Sequence, residues 1–231
     1  MSTRILKISL LLIIAFNLSC NTNEAKLEQF KYADQKETIT CNTGYDAILK
    51  EALYTFESDI INKYDPKQKN KLRAYRAYIS NYISNRTALQ ETVSPHTKAV
   101  FDVLKSKKTL WNGKQLNYSS PEVTCIIDNL NDKNLKQTIQ SLLSVNSMSS
   151  DLFAAPLRSS TAYSRDAYLA TFVALDLYYS KLHDIDFSKV DLTANTPKPE
   201  PIDFNKTPAK TPLKVKEPIN NNIDHTGHNH N

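Results

Sequence analysis

Tyr168-Leu169-Ala170-Thr171-Phe172-Val173-Ala174-Leu175-Asp176-Leu177-Tyr178-Tyr179 carries one charged side chain, Asp176, in twelve residues. The run is too long for an ordinary buried strand and places apolar groups at every angle around a helix. It therefore predicts a helix, over about 164–182, enclosed on all sides by other elements. A carboxylate in that setting is kept only when it is paired or hydrogen-bonded. Arg73, Arg76 and Arg158 are the expected charged partners of Asp176, and tyrosine hydroxyls the neutral ones. Arg165 stands eleven residues earlier on the same helix and is too far along the axis to reach it. The alternative role for Asp176 is a ligand-binding acid in a cleft.

Working outward, the apolar spacing stays helical. Ile48, Leu49, Ala52, Leu53, Phe56, Ile60 and Ile61 mark a helix over about 44–63, and Leu72, Tyr75, Tyr78, Ile79, Tyr82 and Ile83 a second over about 66–86. Val100, Phe101, Val103 and Leu104 mark a third over about 95–106. After a loop around Trp111-Asn112-Gly113 come a short fourth (Val123, Ile126, Ile127, Leu130) and a fifth (Leu135, Ile139, Leu142, Leu143). Asp65-Pro66, Ser94-Pro95 and Ser120-Pro121 read as helix starts, since the first side chain caps free N–H groups and proline has none to leave unpaired. Gln68 would complete a capping box with Asp65.

Glycine scarcity and the lack of hairpin dipeptides argue against a sheet protein, and no internal repeat emerges. The expected fold is all-α, a single bundle of about six helices over 43–192, with flexible segments on both sides. Residues 20–42 are polar with scattered charges and read as a tether. Residues 193–231 hold six of the ten prolines among Lys, Thr and Asn and read as a disordered tail.

Residues 1–19 have the grammar of an export signal: Arg4 and Lys7, then a short apolar run from Ile8 to Phe16. A membrane-spanning helix needs about 20 apolar residues, so this run is not an anchor by itself. Its ending, Leu18-Ser19-Cys20, resembles the lipobox of bacterial lipoproteins, although Asn17 stands where that family prefers an aliphatic residue. The resemblance covers residues 1–20 only. It implies that Cys20 becomes an acylated N-terminus that holds the protein on a lipid bilayer, two or three chains being enough for stable attachment. Asn21, in place of the aspartate that retains such proteins at the inner membrane of Gram-negative cells, points to the outer membrane.

Loss of the signal removes Arg4 and Lys7, so the net charge falls from +5 to +3, and no nucleic-acid footprint is expected. Cys41 and Cys125 remain, an even pair in a compartment that permits disulfides; a bridge and two buried free thiols both stay open.

The three glycines, Gly44, Gly113 and Gly227, stand too far apart for a dinucleotide loop, a phosphate loop or a nucleophile elbow. His225, His228 and His230 lie in the last seven residues, a tract able to offer imidazoles to a divalent transition metal, or simply a solvated tail. His96, just after a helix cap, reads as exposed, and His183 as a cation at a helix C-terminus. No Glu-x-x-His and no His-Glu-x-x-His occurs. Ser147, Ser149, Ser150, Ser159 and Ser160 read as loop residues, and no catalytic residue is nominated. Arg73, Arg76 and Tyr78, with Tyr75 and Tyr82, form either a core-facing helix edge with phenols reaching water or a binding face. Together with Asp176 they are the candidate ligand residues.

The leading expectation is a non-enzymatic envelope lipoprotein whose helical domain binds an envelope protein or polymer or serves a structural role. A metal-handling lipoprotein working through the His tract, and an enzyme with a site dispersed along the chain, are the alternatives.

Overall fold

A computed structural model describes residues 25–195. Cys20, His225, His228 and His230 lie outside the described residues, as do the signal and nearly all of the expected tail.

The domain is mostly helical. Helix α1 (Asp46–Tyr64) packs against α2 (Lys71–Ile83), α3 (Pro95–Ser106) and α7 (Ala167–Val173). A small antiparallel ribbon, β1 (Trp111–Asn112) and β2 (Gln115–Leu116), leads into α4 (Pro121–Asp128) and α5 (Lys133–Ser144), followed by α6 (Ser150–Leu157). Beyond Val173 the last helix widens into a π-helical turn (Ala174–Tyr179) and closes with one α-helical turn (Ser180–Leu182). Every residue from Leu169 to Ser180 is buried, as the apolar run requires. No described helix is long and apolar enough to cross a membrane.

Two of the three Ser/Asp-Pro starts occur as expected. Ser94 and Ser120 accept from the backbone N–H groups of Thr97 and Val123, each with proline in the first turn. Ser94→Ala removes the capping box that Ser94 forms with Thr97 and is expected to cost about 1 kcal/mol, read from the shift of a urea midpoint. The third start is corrected. Asp65 ends α1, and its carboxylate accepts from the N–H of Asn70, which is the cap of α2. Pro66 to Gln68 form the turn between the helices, so α2 begins five residues later than its proline suggests.

Two elements were missed. Ser149 caps α6 and Ser150 is its first residue, so these serines are helix-start residues and not loop composition. The ribbon is turned by Gly113-Lys114, with Gly113 at φ 64°, the place where a type II′ hairpin takes glycine. Gly113-Lys114, with glycine first in a two-residue turn, was a hairpin signal after all.

The expected tether over 20–42 divides. Residues 20–24 lie outside the described residues, but from Ala25 onward the chain is laid along the helices as a strap. Ile39 is buried, and Ala25 and Leu27 pack on the core. Glu51 of α1, 1 % exposed, accepts from the backbone N–H groups of Lys31 (2.7 Å) and Tyr32 (3.0 Å) and from Nε2 of His96 (2.6 Å). His96 is thus partly covered and bonded, not free in solvent. Lys50 holds the other side of the strap through the Ala33 carbonyl and the Glu37 carboxylate, both at 2.8 Å. A buried carboxylate satisfied by three donors is a reason for the strap to sit in one place. The strap ends at a disulfide from Cys41 to Cys125 on α4, their Cα atoms 5.8 Å apart.

Candidate binding cleft and the buried carboxylates

Asp176 sits in the π-helical turn with no exposed surface. No arginine reaches it. Its Oδ1 accepts from the Tyr118 hydroxyl (2.7 Å) and the Ser150 hydroxyl (3.1 Å), and its Oδ2 has no hydrogen-bond partner. Burial pushes the Asp176 carboxyl up to about 6, against the pull of these two hydroxyls. The wide turn also turns carbonyls sideways. Leu177 O takes the Tyr78 hydroxyl at 2.7 Å, and Asp176 O takes the hydroxyls of Ser150 and Ser180. Hydroxyl side chains thus satisfy backbone groups that a widened helix leaves available.

A second buried carboxylate lies on α1. Asp59, 4 % exposed, accepts from the hydroxyls of Tyr178 (2.8 Å) and Thr97. Burial pushes its carboxyl up to about 7. Thr97 also belongs to the capping box of α3, so the start of that helix is joined to the core acid of α1.

The four residues nominated for a ligand site are not brought to one surface: Asp176 and Tyr78 are buried, and Arg73 and Arg76 are exposed. Tyr75 and Tyr78 are wholly buried, their phenols bonded to Glu57 and to Leu177 O instead of reaching water. Arg73 and Arg76 are exposed on α2, with Arg73 directed to Gln68 and Asp65 and Arg76 lying close to Tyr163. His183 is corrected as well. Its ring is wedged edge-on between Phe101 and Trp111, each at 4.9 Å, and burial lowers its pKa, so at neutral pH it is uncharged and not the helix-end cation expected. Among the described residues, no group of three or more His, Cys, Asp or Glu is placed to hold a metal ion. The nominated His tract falls outside them.

Two of the clefts among the described residues differ sharply in their chemistry. One, of about 410 Å³ between the strap, α1 and α7, carries Lys36, Lys71 and Arg165 against Glu37, Glu57 and Asp166. Its acids are already engaged. Glu37 pairs with Lys50, Glu57 with Lys71 and Tyr75, and Asp166 accepts from three backbone N–H groups. The other, of about 600 Å³, lies between the ribbon with its following loop and the C-terminal end of α5. None of its lining residues is charged. Its polar groups are the carboxamides of Asn112, Gln115, Asn117 and Asn146 and the hydroxyls of Ser119 and Thr124. Leu116, Leu143 and Met148 supply apolar surface, and the wall includes Tyr118, whose hydroxyl is held by Asp176.

The sequence dictates how this second cleft is lined. Alternation along the ribbon sends Trp111 and Leu116 into the core and leaves Asn112 and Gln115 exposed. These two are directly paired across the strands, which brings their carboxamides side by side on one face. No known protein family, no curated protein and no solved structure matches the chain.

Proposed function

We propose that the chain is a lipid-anchored protein of the bacterial envelope whose helical domain binds an envelope component in the uncharged cleft beside the ribbon. The Leu18-Ser19-Cys20 ending of a short apolar segment carries the anchoring part of this reading. The Cys41–Cys125 disulfide supports an exported location, because such bonds persist outside reducing compartments. The cleft supports the binding part, since its volume falls in the range of ligand sites.

Ala25 is already packed on the domain, and only five peptide steps separate it from Cys20. Fully extended, they span at most about 18 Å. An acylated Cys20 would therefore hold the domain close against the bilayer, without the free reach that a tether to residue 42 would give. Cys20→Ser is expected to move the protein from the membrane fraction to the soluble fraction and to abolish labelling by a fatty-acid analogue. Retention of acyl label in that variant would overturn the anchoring.

A further inference from the structure

We infer that the uncharged cleft beside the ribbon binds a neutral saccharide; this rests on the binding role just proposed and names its ligand class. The carboxamides of Asn112, Gln115 and Asn146 and the hydroxyls of Ser119 and Thr124 make no hydrogen bond within the described protein. Their neighbour Asn117 differs, tying the loop by donating to Thr109 O and accepting from the Ser119 N–H. The loop is thus held from within while a set of donors and acceptors is left to face outward.

Chemistry decides what those groups suit. A carboxamide offers two donors and an acceptor carbonyl, and a sugar hydroxyl is donor and acceptor at once, so paired carboxamides match vicinal hydroxyls in either direction. Asn112 and Gln115, adjacent across the ribbon, are such a pair. A charged ligand would lose water in this cleft and meet no counter-charge. A peptide bound by strand addition would need a sheet edge, and the ribbon offers strands of two residues each. Leu143 and Met148 are partly exposed and give the apolar patch on which the C–H face of a sugar ring can rest. A cleft of about 600 Å³ accommodates a short oligosaccharide.

The chain carries its own reporter. Trp111, its one tryptophan, directly precedes Asn112. The full chain in a detergent without sugar head groups is titrated with maltotriose, cellotriose, triacetylchitotriose and mannotriose while the heat of binding and Trp111 emission are both followed. A trigalacturonate and trialanine amide are titrated in parallel. The expected result is saturable binding of at least one neutral trisaccharide and none of the charged sugar or the peptide. The Asn112→Ala/Gln115→Ala double variant should bind about tenfold more weakly, the loss of two neutral hydrogen bonds, with its melting temperature unchanged. Absence of saturation with all four neutral sugars, or binding that the double variant leaves intact, overturns the inference. Peptide binding lost in the double variant overturns the saccharide assignment and leaves the cleft's binding role standing. Anchoring is read separately, by fractionation of the Cys20→Ser protein, so its failure is seen independently.

Discussion

Replacing Cys41 and Cys125 together by serine is expected to lower the unfolding free energy by about 4 kcal/mol. The bond joins residues 84 apart, so it removes a large part of the freedom of the unfolded chain. In the chain-entropy account the loss grows with the logarithm of loop length, and for a loop of this size it approaches the top of the usual range. The bond also ends the strap. With it gone, the strap keeps only what binds it along α1, chiefly the Glu51 clasp and the Lys50 contacts. The first consequence is a fall in melting temperature on the order of 10 °C. The second is faster proteolysis in the strap, because a segment released from the fold opens at lower cost than the helices. Treating the parent protein with reductant should reproduce both changes. A urea curve of the double-serine protein that overlays the parent would show that the bond adds nothing to the fold.

The helices that were legible share one property: each has an apolar stripe long enough to set a period. The stripe of α1 is the clearest case, with Ile48, Leu49, Ala52, Leu53, Phe56 and Ile60 all buried as their spacing requires. Helix α6 has eight residues, serines at its start and Pro156 near its end, so composition pointed to a loop. Its burial of Phe153, Ala154 and Leu157 comes from tertiary packing that no local pattern announces. The strap was illegible for a related reason. Lys31, Tyr32 and Ala33 are bound through backbone groups, which look the same in any sequence. Asp65-Pro66 failed because a capping residue followed by proline marks a turn as well as a helix start, and here Asp65 serves the turn.

The buried acids divide in the same way. Asp176 stood out because its neighbours in sequence are apolar on all sides. Asp59 lies in Glu57-Ser58-Asp59, which reads as a polar face, yet both Asp59 and Glu57 are buried. A signal existed in Phe56 and Ile60, which flank Asp59 on the buried side, but periodicity alone does not say how wide a buried face is. The cleft was less legible still. Asn112 and Gln115 acquire meaning only once the ribbon's register sets them side by side.

The two acids lead to the largest expected effect. Unfolded, an aspartate titrates near 3.9. Folded, burial raises Asp176 to about 6 and Asp59 to about 7. Between these values the folded state holds protons that the unfolded state has released, so the stability each acid contributes is fully present below about pH 4 and is lost as pH rises through the folded value. One pKa unit corresponds to about 1.4 kcal/mol, which makes the loss about 4 kcal/mol for Asp59 and about 3 kcal/mol for Asp176, both as upper figures. The surroundings agree with the sign. Asp59 has the hydroxyls of Thr97, Tyr178 and Ser94 and the distant charge of Lys31 to offset burial. Asp176 has Tyr118 and Ser150, is attracted by Lys181 and repelled by Asp151, and leaves Oδ2 without a partner. His183, whose pKa is lowered, acts in the opposite direction as pH falls below 6.5, so the parent's profile alone mixes two effects. Comparison with the Asp59→Asn/Asp176→Asn double variant separates them, because that protein retains His183 and lacks both acids. Urea midpoints measured from pH 4.5 to pH 8 should fall for the parent relative to the variant, most steeply between pH 4.5 and pH 6, where both acids contribute, and more gently up to pH 7, where Asp59 alone does. Parallel profiles would mean that both carboxylates are ionised at little cost, and the hydrogen bonds from Tyr118, Ser150, Thr97 and Tyr178 would then be strong enough to hold two bare charges in the core.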